Sequence, residues 1–212
     1  MTLAPQKLLL ASASPARKKT LQNAGINPAV QVSSVDEEAL LATLPPNSSA
    51  QTQVQTLASA KTADVVATIL NEAGKPDFRV VVGCDSMLEM NGEVVGKPET
   101  PEIARERLRK MRGNFGDLHT GHCVIDLQTG KVAEGVSTAR VYIGEMTDAE
   151  IDAYIATGEP LVVAGSFTID GIGGPFVERI EGDPHGIVGI SLPLLRKLLQ
   201  ELGLNIAEFW EK

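Results

Sequence analysis

The sequence predicts an α/β fold in which helices flank a mixed β-sheet. Three observations carry this expectation. Short β-rich apolar runs alternate with segments whose apolar residues recur at helical spacing. Asn91-Gly92 stands between two apolar arms, the strongest short-range signal for an antiparallel hairpin. A hairpin set within strand–helix alternation argues against a purely parallel sheet. The 212 residues suit one large domain or one domain with an appended lobe, and 43% hydrophobic content can fill a substantial core, mostly aliphatic because aromatics make up only 4%.

The first element is Leu8-Leu9-Leu10, a short buried strand leading into ASASPARKK. Ser14 suits a helix N-cap and Pro15 the first helical position, where its missing N–H costs nothing. Arg17, Lys18 and Lys19 then crowd positive charge into the first turns, against the helix dipole unless an anion binds there. These residues alone fit either a phosphate cradle or an ordinary junction with solvated basic side chains.

Residues 43–52, TLPPNSSAQT, form a short linker-like stretch. Beyond it Val54, Ala58, Val65 and Ile69 mark one face of a helix. Lys61 falls on the same stripe, where it either snorkels from the core edge or points into a site. Residues 79–84, RVVVGC, read as a central strand. With Asn91-Gly92 as a two-residue turn, Met90 pairs with Glu93, and counting outward sets Ser86 opposite Lys97, with Asp85 beside them. The turn therefore predicts that a carboxylate, a hydroxyl and an ammonium converge.

Thr100-Pro101 opens the next helix, with Ala104, Leu108 and Met111 inward and Arg105, Arg107, Arg109, Lys110 and Arg112 on its other faces. Residues 121–126 and 137–143 read as strands. Thr147 and Glu150 make a capping box ahead of a helix burying Ile151, Tyr154 and Ile155. The segments LVVAGSF (161–167) and PFVERI (175–180) read as further strands. Ser191 caps a last amphipathic helix carrying Leu194, Leu195, Leu198 and Leu199.

The formal net charge of −8 argues against a general nucleic-acid binder while leaving room for a local basic pocket for a small anion, and the arginine-rich helix reads as a solvated face. No segment is apolar for long enough to span a membrane, and the stretch near residue 1 is too short for a secretory signal. Cys84 and Cys123 lie in apolar contexts without metal-ligand spacing and read as small buried thiols in a reducing cytoplasm, a disulfide being the lesser alternative. GEVVGKP, from Gly92, is one residue short of a Walker loop and has Pro98 where that loop needs Ser or Thr. GIGGPF, from Gly171, lacks the spacing and following helix of a dinucleotide fingerprint. His119, His122 and His185 have no zinc spacing and read as structural or surface residues.

What remains suits metal-assisted phosphate chemistry. Ser12, Ser14 and Arg17 stand at the cationic helix start. Asp36, Glu37 and Glu38 form an acidic cluster, for which a solvated loop is the plain alternative. Lys61, Asp85 and Lys97 complete the set. Hydrolysis of a phosphoanhydride needs a divalent cation on oxygen ligands, positive groups for developing charge and a carboxylate to take a proton from water.

Taken together, LLLASASPARKKTLQNAGI, VDEE, LASAK, VVVGCDS, NGEVVGKP, TDAEIDAYIATGEP and AGSFTIDGIGGPFVERIEGDPHGIVGISLPLL resemble the Maf family of nucleoside triphosphate pyrophosphatases, in the family's order and over residues 7–203. The resemblance implies a single domain over residues 1–212, in one piece or as two lobes, with an elongated mixed sheet and a deep central cleft, commonly as a homodimer. It implies cleavage of a nucleoside triphosphate to the monophosphate and pyrophosphate with Mg²⁺ or Mn²⁺, and links the family to restraint of septum formation. Asp85 matches the proton acceptor, Ser14 and Arg17 the phosphate-binding helix start, Glu37 the acidic site residue, and Lys61 and Lys97 the triphosphate lysines. Metal is expected at Glu37 and Asp85. Three positions bear on base choice: Ala16 where members often carry Arg or Trp, Ser86 where one branch has Thr, and Asp170 where the pyrimidine branch has Gln. Asp170 with AGSF leans towards 7-methyl-GTP, while Ala16 removes a stacking ring, so base preference stays open. The alternatives are a non-catalytic nucleotide-binding regulator of cell division and an inosine or xanthosine triphosphate pyrophosphatase.

Overall fold

The computed structural model describes residues 5–71, 77–98 and 100–211. In chain order the elements are β1 (Leu8–Leu10), α1 (Pro15–Asn23), β2 (Ala29–Val30), α2 (Glu37–Leu41), α3 (Ala50–Asn71), β3 (Val80–Met90), β4 (Glu93–Val95), α4 (Pro101–Met111), β5 (Phe115–Asp126), β6 (Val132–Ile143), α5 (Asp148–Ala156), β7 (Val177–Glu181), α6 (Pro184–Val188) and α7 (Leu192–Glu201). The described strands form one mixed sheet in the order β2-β1-β3-β5-β6-β7, with β4 paired to β3. β1 runs parallel to both β2 and β3, whereas β3–β4 and β6–β7 are antiparallel.

The chain divides into two compact units. The first comprises residues 1–85, 120–137 and 189–212. Its main core joins Leu8 and Leu10 of β1, Val80 and Val82 of β3, and Leu195, Leu198 and Leu199 of α7. Alternation explains the second, smaller core: Leu9 and Val81 face the other way and meet Val65 and Ile69 of α3. At Gly83 an added Cβ would stand 2.9 Å from the Ala58 carbonyl oxygen and collide with Thr62 Oγ1. At Gly121 it would stand 2.5 Å from the Val54 carbonyl carbon. Two glycines therefore let the α3 backbone lie close against the sheet.

The second unit comprises residues 86–119 and 138–188. Its core packs Leu88, Ala104, Leu108 and Met111 against Val141, Ile151, Tyr154 and Phe167. The Asn91-Gly92 hairpin forms with φ of 52° and 80°, the left-handed pair of a type I′ turn, and Met90 pairs with Glu93 as expected. The ladder ends at Leu88–Val95, two pairs short of Ser86–Lys97. Arg107 Nη1 donates to the Gly96 carbonyl, which is thereby engaged by α4.

Residues 161–167 depart from expectation. LVVAGSF is not a strand but part of two short 3₁₀ turns, Glu159–Leu161 and Ala164–Ser166. Gly165 and Ser166 adopt φ of 77° and 63°, which no strand can accommodate, and Val162 is left 68% exposed. PFVERI does contain a strand, β7, but its first two residues belong to a turn.

Candidate functional site

The first unit brings six of the expected residues into two linked groups. At the start of α1, Ser14 accepts a hydrogen bond from the Arg17 N–H (3.4 Å) and donates its own N–H to Ser12 Oγ (3.2 Å). Pro15 occupies the first helical position, and the first turn holds no acid. The Arg17 side chain folds back over this turn. Its Nη1 donates to Ser12 Oγ (2.9 Å) and its Nε to the Gly189 carbonyl (2.8 Å). The guanidinium is thus oriented by a hydroxyl and a peptide oxygen. Ala16 follows Pro15 and is half-buried, its carbonyl accepting from Thr20 Oγ1 (3.0 Å).

The second group centres on Lys61. The stripe that places Val54, Ala58 and Val65 in the core turns Lys61 to the same side of α3. Its ammonium reaches Asp85 Oδ1 at 2.6 Å and Glu37 Oε1 at 2.8 Å. Glu37 opens α2, whose N-cap, Asp36, accepts from the Ala39 N–H (3.0 Å). Asp85 follows the buried run Val80–Cys84 on β3. Lys61 and Asp85 expose only 12% and 10% of their side chains, whereas Glu37 exposes 53% and is the member open to solvent.

Burial pushes the Asp85 carboxyl above the ordinary aspartate range; the Lys61 ammonium and then Arg17 pull it down, and Glu37 pushes it up. That Arg17 acts on Asp85 puts the start of α1 within electrostatic reach of the Lys61 group. Lys61 is mostly buried and meets two carboxylates rather than snorkelling to solvent. The Gly83 contact is what brings α3 close enough for this. Its sequence signal was available: a glycine interrupting a continuous β-rich run marks a close backbone approach.

Among the described residues no cluster of three or more His, Cys, Asp and Glu side chains could hold a metal ion. Glu37 and Asp85, from different elements, both meet the Lys61 ammonium. A hard cation that also draws oxygens from a substrate phosphate needs only one or two carboxylates from the protein, and Glu37 and Asp85 are the residues that could supply them.

The remaining expected residues lie in the second unit. Ser86 is half-buried on β3, Lys97 is exposed two residues beyond β4, and Asp170 is exposed in the loop between Phe167 and Gly173. Arg107 was not expected. It bonds to Gly96, next to Lys97, and at 3.2 Å to Ser166 Oγ. Burial lowers its pKa, and no carboxylate pairs with it among the described residues. The other basic residues of α4 and its C-cap, Arg112, form surface ion pairs: Arg105–Asp152, Arg109–Asp148, Arg112–Asp148 and Lys110–Glu106. His119 and His122 are structural, buried at 2% and 0% exposure, and His122 Nε2 accepts the Ser191 N–H at 2.8 Å. Both cysteines are free and buried, and burial pushes both thiols up to about 12. Among the described residues no helix is long and apolar enough to cross a membrane.

Residues 7–202 match the Maf-like protein family. A protein of Nocardia farcinica named nucleoside triphosphate pyrophosphatase is 52% identical over 206 residues, covering 96% of each chain. One of Salinispora tropica with the same name is 52% identical over 208 residues, 98% of this chain and 89% of that one. A third so named, from Gloeothece citriformis, is 47% identical over 203 residues, 96% of this chain and 97% of that one.

Proposed function

The chain belongs to the Maf-like protein family, and from that premise we propose that it is a nucleoside triphosphate pyrophosphatase, releasing pyrophosphate and leaving the nucleoside monophosphate. The observation that carries this reading is the buried carboxylate of Asp85 held against Lys61, with Arg17 in electrostatic reach. Water attacks the α-phosphorus, the bond from that phosphorus to the bridging oxygen breaks, and pyrophosphate departs. Asp85 takes the proton from the attacking water. Its burial favours that transfer, because a raised pKa makes the carboxylate a stronger base.

Arg17, with the capped N-terminus of α1 and Ser12, receives the phosphate charge in an orientation already fixed by Gly189. Lys61 keeps Asp85 ionised and in place, and Lys97 supplies a further positive charge to the triphosphate. Glu37 and Asp85 are the residues that would hold a divalent cation, Mg²⁺ or Mn²⁺, which when bound neutralises phosphate charge and makes water more acidic. Asp170 reads the base, since a carboxylate suits the N–H donors of a guanine edge, and Ala16 and Ser86 shape the same choice. The buried free thiols suit a reducing cytoplasm, and a homodimer is the family's usual assembly.

The test is a panel of standard and modified nucleoside triphosphates incubated with Mg²⁺ or Mn²⁺ and assayed for pyrophosphate. Asp85→Asn should cut turnover about 10²- to 10⁴-fold, the range a positioned base contributes, with nucleotide binding retained. Undiminished pyrophosphate release by that variant would remove Asp85 from its role. Nucleotide binding without turnover on any member of the panel would favour a regulator instead.

A further inference from the structure

The glycine-rich stretch Gly171–Gly174 matches no dinucleotide fingerprint, yet the structure gives it an anion. That anion is a side chain of the same unit. Glu159 Oε1 accepts hydrogen bonds from Thr168 Oγ1 (2.6 Å), Tyr154 Oη (2.8 Å) and the Gly173 N–H (2.9 Å), while Oε2 accepts the Ile172 N–H (2.9 Å). Successive backbone N–H groups turned towards one carboxylate form the kind of nest that elsewhere cradles a phosphate.

The glycines are required by space. A Cβ on Gly171 would stand 2.6 Å from Thr168 Oγ1 and meet the Glu159 carboxylate itself, and one on Gly173 would stand 2.8 Å from the Thr168 carbonyl oxygen. Burial pushes the Glu159 carboxyl up, but the four hydrogen bonds outweigh it and hold the group below its ordinary range, so it stays ionised at neutral pH. Tyr154, the side-chain donor from α5, is itself anchored in the core. The loop from Thr168 to Gly173 is therefore tied at both ends to a single ionised group on a rigid support. Between those ends stands Asp170, exposed.

We propose that Glu159 is a positioning residue for substrate selection, its carboxylate filling the glycine nest and fixing the loop that presents Asp170 to the base. This rests on the reading of Asp170 given above. Every hydrogen bond the Glu159 carboxylate accepts here comes from the loop or from Tyr154, so its effect is expected on which nucleotide binds and not on the chemical step.

The experiment compares kcat and KM of the full chain for a guanine-type and a pyrimidine triphosphate, with melting curves for each variant. Glu159→Gln keeps the size of the side chain but turns an NH₂ towards one of the donors. It should change the ratio of kcat/KM between the two nucleotides at least ten-fold, through KM. Thr168→Val should shift the ratio in the same direction by less. Asp170→Asn should shift it alone, and Glu159→Gln added to Asp170→Asn should do nothing more. A ratio unmoved by Glu159→Gln but moved by Asp170→Asn overturns the proposal while leaving the reading of Asp170 intact. A ratio unmoved by Asp170→Asn overturns both. An equal fall in kcat on both nucleotides assigns Glu159 to the chemistry or the fold and also overturns it. Should Glu159→Gln lose its melting transition, Thr168→Val decides by the same ratio.

Discussion

Gly83→Ala is the sharpest probe of how the site is assembled, because it touches no polar group of the site. The added Cβ would lie 2.9 Å from the Ala58 carbonyl oxygen, and ordinary contact begins at 3.4 Å, so the α3 backbone must retreat by 0.5 Å. Thr62 must also turn away, breaking its hydrogen bond to the Ala58 carbonyl (2.7 Å). Overpacking of this kind costs about 1–3 kcal/mol, and at about 2–4 °C per kcal/mol for a chain of this size the melting temperature should fall by several degrees. Lys61 lies between Ala58 and Thr62 in turn and cannot stay behind, so its 2.6 Å contact with Asp85 lengthens by a similar amount. Misplacement by about 1 Å costs roughly 10²-fold in rate, so half that distance should cost about ten-fold in kcat/KM. Pyrophosphate release and thermal melting are measured on the same preparations, with Gly135→Ala as control. There the new Cβ meets only flexible side-chain ends, those of Leu194 at 3.2 Å and Leu198 at 3.7 Å. Combining Gly83→Ala with Thr62→Ala removes the hydroxyl collision but not the backbone one, and should recover part of the loss. A Gly83→Ala protein that melts lower yet retains full kcat/KM would refute the link between α3's approach and the Lys61–Asp85 pair. One unchanged in both would refute the close packing.

Two further outcomes follow from buried groups. Asp126, with a fully buried side chain, accepts from Arg79 Nη2 (2.9 Å), Thr129 Oγ1 (2.8 Å) and the Gln128 N–H (3.0 Å). Asp126→Ala should cost about 3 kcal/mol, the low end for breaking a buried pair because Arg79 retains 15% exposure. Burial pushes the Asp126 carboxyl up, but the hydrogen bonds outweigh it and hold the group below its ordinary 3.8. Its stabilisation is therefore complete above pH 3.8 and lost as pH falls below that value, so the melting gap between the two proteins should close in acid. Cys84 and Cys123, with thiols pushed up to about 12, should resist a disulfide reagent in the native protein at mildly alkaline pH and both react after denaturation. Rapid labelling of the native chain would contradict their burial.

The features legible in the sequence are those decided within a few residues. Ser14, Thr100, Thr147 and Ser191 each cap the helix expected of them, since a cap depends on one side chain and the next three residues. Asn91-Gly92 fixed the hairpin register for the same reason. Val162-Val163 misled because β-branched residues mimic a strand wherever they occur, while the outcome was set by the left-handed backbone at Gly165 and Ser166. The site shows the same division. Ser12, Ser14 and Arg17 were readable as a group because one turn contains them. Glu37, Lys61 and Asp85 were named one at a time, and their meeting depends on how far a helix can sink onto a strand at a glycine. That distance is a tertiary quantity. The ring of donors around Glu159 was hidden too, because its members come from separate turns.

The first unit is assembled from residues 1–85, 120–137 and 189–212, so its core places Leu8 and Leu10 beside Leu195 and Leu198. A ribosome adding about 5–20 residues per second needs roughly 10 to 40 s to pass from one set to the other. Throughout that interval the nascent β1 has no final lid of leucines, and Arg17 lacks the Gly189 carbonyl that orients it. The start of α1 is thus among the last parts to mature during synthesis, although it is encoded among the first.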